Sequence, residues 1–494
     1  MKSFFISTKN KRKLNIVKYI LFSDNSYIYF NELMEKFFLN KSTLQRYLHE
    51  ITEDLSIFEE KVIFSKTKKG QISMIYDLNL SIKYIIAKLE SIYIQQSPIT
   101  NTLNAIATKN YSSVTALSND LHLTENAIYK HLEKIHLLTS KYNIAINFST
   151  ELNFTGKEYN IRYFLFKLHW TIYSTIEPSP LLEQIDQNII KINYLKKYFN
   201  INKELTKTQE VQLQIITAVT LQRAIASKKI FFNIGFIKDT EPLRRVLLQT
   251  KYIKPQIDTS ILSFETPYLL YFIRIVIPDI DNYSIKKEIV NYYQTSHLPL
   301  FKDVDNYCKL VEKHLSINFS DKDYTEIIYL LILITISLEH LNLLPWVFDN
   351  LPIIYEDLFS SQNMFKDKLN ILIDRFPLAR KLNIKEKKLI KTILYSVYKK
   401  KKRSNLINIY IAQNLNPLVN QAIKHTLSKV FTENLLSFCN SPLSADIVIS
   451  NGFEQVTNST TSFYFDEPNK EQVWKDLINF VSLQISKRIF YYLN

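Results

Sequence analysis

A repeat near the amino terminus constrains this chain more than any other feature of its sequence. Residues 39–51, Leu-Asn-Lys-Ser-Thr-Leu-Gln-Arg-Tyr-Leu-His-Glu-Ile, recur 84 positions later as Leu-Thr-Glu-Asn-Ala-Ile-Tyr-Lys-His-Leu-Glu-Lys-Ile in residues 123–135. Leu33 and Phe37 map onto Leu117 and Leu121 at the same offset. Two copies of a short helical unit, each ending in an exposed polar helix, predict a pair of helix-turn-helix heads.

The first copy has the pattern of a winged helix-turn-helix. An amphipathic helix over residues 11–22 and a second helix near 31–38 precede a third helix, for which Asn40 is the expected N-cap. The apolar residues of the third helix recur at helical spacing and predict a buried stripe: Leu44, Leu48, Ile51 and Leu55. Two β-rich runs around a Lys-Lys-Gly turn in residues 61–76 predict the wing. Residues 1–78 are therefore expected to form the first winged head.

The second copy repeats this order after a linker helix expected within residues 78–96. Two helices lead to a third helix, for which Thr124 is the expected N-cap. The buried stripe recurs at Ile128, Leu132 and Ile135. A pair of short strands closed by Gly156 predicts a second wing. The linker helix and the second winged head are expected to occupy residues 79–164.

A helix that reads base edges needs short polar or basic side chains in its first exposed turns, and wing lysines can neutralise phosphates. In the first copy the candidates for DNA contact are Lys41, Ser42, Thr43, Gln45, Arg46, Lys66, Lys68 and Lys69. The second copy is more acidic, and its candidates are Asn126, Tyr129 and Lys130. Two alternatives stay open. The basic residues of the first copy could simply solvate a helix face, and the second copy could be a structural or dimer-supporting unit.

Composition favours a polyanionic partner and argues against several kinds of enzyme. The net charge of +15 favours a polyanionic partner. AT-rich coding also produces chains rich in Lys, Ile, Asn and Tyr, so the charge alone is weak evidence. Its four glycines are scattered, which excludes a glycine-rich phosphate loop or a dinucleotide fingerprint. No histidines have metal-site spacing, and Cys308 and Cys439 are expected to be reduced thiols. We therefore expect no enzymatic activity, no cofactor and no metal.

The amino terminus and the apolar runs of the sequence indicate where in the cell the protein is expected. Residues 1–13 lack the apolar core of a signal peptide. The longest mainly apolar run, residues 327–338, is too short to span a bilayer. These features predict a cytoplasmic protein without membrane contact.

The remaining chain changes character twice. From about residue 165 to 400 it consists of long amphipathic helices, and Thr217-Ala-Val-Thr-Leu-Gln-Arg223 resembles Ile334-Thr-Ile-Ser-Leu-Glu-His340 at an offset of 117. This second repeat predicts two related all-helical domains. After residue 400, the order strand, helix, three strands, helix predicts a small α/β domain.

Together these segments resemble the Mga/AtxA-like virulence regulators of Gram-positive bacteria. The resemblance rests on the two helix-turn-helix units, on the helices ending in Leu-Gln-Arg and Leu-Glu-His, and on the junction Leu152-Asn-Phe-Thr-Gly-Lys-Glu-Tyr-Asn-Ile-Arg162, which is similar to a "GxExxxR" turn of that family. It implies a multidomain, mainly α fold, with phosphotransferase-system (PTS) regulation domains at 165–285 and 286–400. It also implies an α/β domain like enzyme IIB at 401–494, used for self-association.

The resemblance further implies control by phosphorylated histidines and contact with PTS phosphocarrier proteins. The first regulation domain has no histidine between His169 and His297, whereas the second offers His297, His314 and His340. A working IIB domain needs a cysteine just after its first strand. The corresponding loop, residues 412–416, has none, and Cys439 follows the second strand. We therefore expect this domain to be a dimer contact and not a phosphate carrier.

The leading hypothesis is a DNA-binding transcriptional regulator, an activator of global or virulence type, acting as a homodimer on AT-rich or curved promoter duplex. One alternative is an RNA-binding sugar-operon antiterminator with the same regulation domains. It is disfavoured because such proteins open with a small β domain. The other alternative is a non-enzymatic scaffold for PTS signalling.

Overall fold

The computed structural model is mainly helical, and the chain divides into two compact units, Met1–Ser296 and His297–Asn494. It describes residues 1–23, 27–67, 70–77, 79–150, 152–174, 176–185, 187–226, 234–248, 259–277, 279–341, 363–401, 407–412, 417–431, 435–439, 442, 445–450, 461–465 and 467–490.

The first unit opens with a head built from helices and a three-stranded antiparallel sheet. Its elements are α1 (Lys2–Phe5), α2 (Thr8–Leu21), β1 (Ile28–Tyr29), α3 (Phe30–Phe37), α4 (Lys41–Leu55), β2 (Val62–Lys66) and β3 (Gln71–Tyr76). The strands pair in the order β1-β3-β2, and Phe64 lies opposite Met74 in the hairpin of the wing. Apolar residues at helical spacing on α2, α3 and α4 form the buried core of this head: Leu14, Val17, Leu33, Leu44 and Ile51.

A connecting helix and a second head follow. The elements are α5 (Ile82–Gln95), α6 (Pro98–Thr108), α7 (Val114–Asp120), α8 (Glu125–Thr139), β4 (Ile144–Ile146) and β5 (Phe154–Gly156). Helix α5 packs against α2, α6 and α9 (Glu158–Ile172), so it lies between the first head and the elements that follow it, as the sequence predicted. Helices α6 and α7 pack on α8, and β4 pairs with β5 as an antiparallel wing.

The backbone of the two heads repeats at the same 84-residue offset as the sequence. Helix α4 and helix α8 start and end at the same offset, and a single 3₁₀ turn follows each of them, at Ser56–Phe58 and Ser140–Tyr142. The turn before each helix contains one left-handed residue, Phe38 in the first head and His122 in the second. Non-glycine residues seldom adopt this conformation, so its recurrence shows that the same chain path is built twice.

The rest of the first unit is a bundle of helices: α9, α10 (Pro180–Glu183), α11 (Gln187–Ile190), α12 (Ile192–Tyr198), α13 (Lys207–Ile225), α14 (Ile234–Leu248), α15 (Thr259–Val276) and α16 (Tyr283–Ser296). Helix α13 packs against both α9 and α15. Helix α9 is buried along most of its length, and its buried residues include the polar Asn160, Arg162 and His169.

The second unit begins with α17 (Pro299–Leu315), α18 (Asp321–Ile336), α19 (Asn363–Asp374) and α20 (Ile384–Lys401). A π-helical turn, Ser337–Leu341, extends α18. Together they form a continuous helix of 21 residues, longer than the apolar run on which the membrane expectation was based. By length and composition alone this helix could cross a membrane, but 72% of its apolar window is buried, as in a core helix.

The end of the chain forms a four-stranded parallel sheet flanked by helices. Its elements are β6 (Ile407–Ile411), α21 (Pro417–Val430), β7 (Leu436–Phe438), β8 (Ile447–Ser450), β9 (Thr461–Tyr464) and α22 (Glu471–Phe490). The strand order is β7-β6-β8-β9, and every neighbouring pair is parallel. Ile409 and Ile449 of the sheet share one core with Ile423 of α21 and Leu477 of α22.

Candidate nucleic-acid interface

The first recognition helix, α4, presents its polar face at its amino-terminal end. The Asn40 side chain caps this end by accepting hydrogen bonds from the Thr43 backbone N–H (2.9 Å) and from the Ser42 hydroxyl (3.0 Å). Lys41, Ser42 and the next turn are therefore held in helical geometry at the tip, where base edges come within reach of a docked helix.

The predicted readers of this helix share one exposed face. Lys41, Ser42, Gln45 and Arg46 are exposed, and Thr43 is half-buried. The opposite face carries the predicted stripe and one further buried residue, Tyr47, which the sequence pattern did not include. The Arg46 guanidinium lies 5.7 Å from the centre of the Tyr47 ring, within the range of a cation–π contact.

Two backbone hydrogen bonds join Thr67, Gly70 and Gln71 in the first wing. The Thr67 N–H donates to the Gln71 carbonyl (2.9 Å), and the Gly70 N–H donates to the Thr67 carbonyl (3.0 Å). Lys66 ends β2 opposite Ile72. The other two predicted wing contacts, Lys68 and Lys69, lie outside the described residues.

The far end of α4 is fixed by a charged cluster that includes the connecting helix. The buried Lys13 ammonium of α2 lies 2.6 Å from an Asp54 carboxylate oxygen and 3.5 Å from Glu50, both on α4. The Tyr93 hydroxyl of α5 donates to the same Asp54 oxygen at 2.5 Å. Burial, and then Asp54, raise the pKa of Tyr93. The recognition helix is thereby tied both to its own head and to α5.

The second recognition helix, α8, has a similar frame but different chemistry. Its predicted readers Asn126, Tyr129 and Lys130 are all exposed. Thr124 caps the helix by accepting from the Ala127 N–H (3.3 Å). Glu125 accepts a hydrogen bond from the Thr115 hydroxyl of α7 (2.6 Å), so this acidic residue joins two helices of the head in addition to complementing the helix dipole.

The two readers therefore differ in charge. Residues 41–49 of α4 contain Lys41 and Arg46 and no acidic residue, whereas the matching stretch of α8 offsets Lys130 with Glu125 and Glu133. A phosphate backbone would attract the first turns of α4 more strongly than those of α8, because each neutralised phosphate adds salt-dependent affinity.

A side-chain amide completes the second wing. In the first head, β1 pairs with the wing strand β3. In the second head the buried Asn153 takes this role. Its Oδ1 accepts from the Tyr111 N–H and its Nδ2 donates to the Tyr111 carbonyl, both at 2.7 Å. Asn153 has a positive φ of 49°, a conformation that Asn tolerates better than most residues. One side chain thus replaces a backbone strand pair.

A buried charge cluster lies where the second head joins the helical bundle, and the sequence did not reveal it. Glu158, at the start of α9, accepts from Arg162 (3.0 Å) and from Arg223 of α13 (2.8 and 2.6 Å). Arg162 also donates to Glu265 of α15 (2.5 and 3.1 Å). Burial lowers the pKa of Arg162, but the hydrogen bond and attraction of Glu265 outweigh it and raise that pKa overall. The sequence showed the GxExxxR-like junction and the Leu-Gln-Arg helix as separate motifs, and the fold brings them into contact.

The three predicted phosphorylation candidates lie on different elements of the second unit. His297 is exposed and has a left-handed backbone just before α17. His314 is half-buried in the last turn of α17, and His340 is half-buried in the π-helical turn. By contrast, His169 of the first unit is fully buried beside Ser179, whose hydroxyl lies 3.0 Å from Nδ1. Burial lowers the pKa of His169 to about 4.

Capped recognition helices with exposed polar tips, each followed by a wing, define the class of helix-turn-helix DNA-binding proteins. Residues 83–169 match the family model described as the Mga helix-turn-helix domain, a segment that runs from α5 through the second head into α9. Over these residues the resemblance to the Mga-like regulators is confirmed, and this domain indicates a DNA-binding transcriptional regulator. A comparison with curated proteins gave no match.

Proposed function

We propose that this protein regulates transcription by binding double-stranded promoter DNA with α4 and the first wing as the principal reader. The observation that carries this proposal is the exposed face of α4, where Lys41, Gln45 and Arg46 project from a capped helix whose other face is buried. Arg46 has the geometry to pair bidentately with guanine, and Gln45 with adenine. The Mga helix-turn-helix domain at residues 83–169, which contains the second head and not α4, supports DNA binding by the protein.

The second head has a supporting part in this proposal. Asn126, Tyr129 and Lys130 contact DNA alongside the first head, with less phosphate attraction because Glu125 and Glu133 share the helix. Two heads with modest base readout favour AT-rich or easily bent promoter DNA.

Five further assignments belong to the proposal. The protein acts as an activator in the cytoplasm, and it is not an enzyme. The sheet and helices between Ile407 and Phe490 serve as a homodimer contact. Two observations support this role: the resemblance to enzyme IIB and the absence of a cysteine from the sequence after β6. The helical domains receive a PTS signal through His297, His314 or His340.

DNA binding is tested by titrating labelled duplex with the full-length protein at several salt concentrations. The variants are Arg46→Ala and Lys41→Ala. The matched control is Lys207→Ala, since Lys207 also occupies the first position of a capped helix, α13, and is exposed. We expect each α4 variant to weaken binding to AT-rich promoter duplex about 5–100-fold. The salt slope should also fall by about one unit for each phosphate that the variant no longer neutralises.

The alternative functions predict different results. Equal binding by Arg46→Ala, Lys41→Ala and Lys207→Ala contradicts the role of α4. Tighter binding to single-stranded RNA than to duplex DNA favours the antiterminator, and no binding to any nucleic acid favours the signalling scaffold.

The PTS assignment has its own test. Incubation with a labelled general phosphocarrier should label the wild-type chain, and replacing His297, His314 and His340 by Ala together should abolish the label. Persistent labelling of that triple variant shows that the phosphorylated residue lies elsewhere.

A further inference from the structure

We propose that the cluster of Glu158, Arg162, Arg223 and Glu265 holds the second head in a defined orientation on the helical bundle, and that the bundle acts on DNA binding through it. This inference rests on the proposed DNA-binding function and names the contacts through which the bundle would control DNA binding. The four residues are positioning residues, because they contact one another on α9, α13 and α15 and reach the head only through α9, which packs against the wing strand β5.

The position of the cluster in the chain supports this role. The wing strand β5 ends at Gly156, and Glu158 follows two residues later as the first residue of α9. The wing therefore leads directly into the carboxylate that two arginines hold. One arginine is on α9 itself, and the other is on α13, 65 residues away in sequence. Any displacement of α13 or α15 relative to α9 must stretch these hydrogen bonds.

The cluster is buried, and its arginine pairs fix the relative positions of the helices that carry them. The Arg162 side chain is fully buried, and the side chains of Arg223 and Glu265 are 3% and 2% exposed. Two positive and two negative charges balance, and each bidentate arginine pair specifies both a distance and a plane. A buried ion cluster adds little stability over apolar packing, whereas removal of one member leaves an unpaired buried charge. Such a cluster favours one arrangement of the helices over neighbouring ones.

A purely structural role is the competing explanation, and the chain contains a matched control for it. Arg274 of α15 makes a bidentate, buried pair with Asp281 (2.7 and 3.1 Å) in the same bundle. This pair joins the end of α15 to the loop after it and includes no member of the junction cluster. Arg274→Met thus removes a comparable buried arginine without touching the junction.

The experiment compares Arg223→Met, Arg223→Lys and Arg274→Met in the full-length protein. Hydrogen exchange is followed in peptides covering β4 and β5, with the first wing, β2 and β3, as an internal reference. We expect Arg223→Met to speed exchange of the second wing at least tenfold while the first wing changes less than twofold. Arg223→Lys, which keeps the charge but loses the bidentate geometry, should show a smaller change in the same peptides. Arg274→Met should leave both wings within twofold.

DNA affinity is measured on the same proteins with duplex that the wild type binds. Arg223→Met is expected to bind at least fivefold more weakly than Arg274→Met. Equal exchange and equal affinity in the two variants overturn the inference. If Arg223→Met does not fold, an unchanged second wing in Arg223→Lys overturns it instead. Failure of the wild type to bind any duplex contradicts the proposed function, whereas the exchange rates still test the junction independently.

Discussion

Replacing Gly156 by alanine should disrupt the second wing far more than the same change at Gly70 disrupts the first. Gly156 has a φ of 138°, a region that is essentially restricted to glycine, and it pairs with Ile144 in the β4–β5 ladder. A Cβ added there would lie 2.7 Å from the Asn143 carbonyl oxygen, which is a backbone atom that cannot move without distorting the hairpin.

The magnitude follows from two costs. An L-residue held in such a conformation costs about 1–3 kcal/mol. Relief of the contact with Asn143 weakens ladder hydrogen bonds worth about 1 kcal/mol each. We therefore expect Gly156→Ala to destabilise the wing by about 3 kcal/mol. At Gly70 the φ is 76° and the added Cβ lies an ordinary 3.8 Å from Phe30 Cβ, so only about 1–2 kcal/mol is expected.

Hydrogen exchange measures both changes in the full-length protein. A loss of 3 kcal/mol corresponds to roughly 100-fold faster exchange in β4 and β5, since about 1.4 kcal/mol is a factor of ten. The first wing in Gly156→Ala and the second wing in Gly70→Ala act as internal controls. Equal effects of the two substitutions on their own wings would refute the argument from the Asn143 contact.

Three further outcomes follow from the structure. Because folding lowers the pKa of His169 from 6.5 to about 4, only the unfolded chain takes up this proton between those values. The contribution of His169 to the free energy of unfolding should be complete above pH 6.5 and fall by up to about 3 kcal/mol as the pH drops to 4. Thermal unfolding of His169→Gln over the same pH range should lack this part of the pH dependence. Asn153→Ala should cost about 2–3 kcal/mol, because it leaves a buried backbone N–H and carbonyl unpaired; a loss below 1 kcal/mol in thermal unfolding would contradict the bridging role. Asp54→Asn should cost about 2 kcal/mol and weaken DNA binding, since the buried Lys13 then keeps only one negatively charged partner, the more distant Glu50; unchanged affinity would show that this end of α4 does not position the reader.

Much of the fold of the two heads is readable from local pattern. The third helices start at the predicted caps, Asn40 and Thr124, because a short polar side chain satisfies free N–H groups wherever a helix begins. Leu44 and Ile51 are buried as their spacing predicts. The exposed positions of Lys41 and Arg46 follow from the same period, so the face that would read DNA was predictable.

Other features lie beyond any local pattern. Strand β1 has two residues, too few to show a period, and the burial of Tyr47 does not follow from the spacing of the predicted stripe. The Asn153 bridge depends on a backbone segment 42 residues earlier in the chain. The sequence around either partner of these contacts has no pattern that would predict them.

The 84-residue repeat and its caps were sufficient to predict two heads and to rank the first turns of α4 as the more basic, although Leu132 of the second predicted stripe is only half-buried. Short-range periodicity and composition encode these properties, because they depend on residues within a few turns of one another. The junction of Glu158, Arg162, Arg223 and Glu265 required the folded chain. Its partners are separated by 65 and 103 residues, and only the packing of α9 against α13 and α15 excludes water and makes these four charges depend on one another.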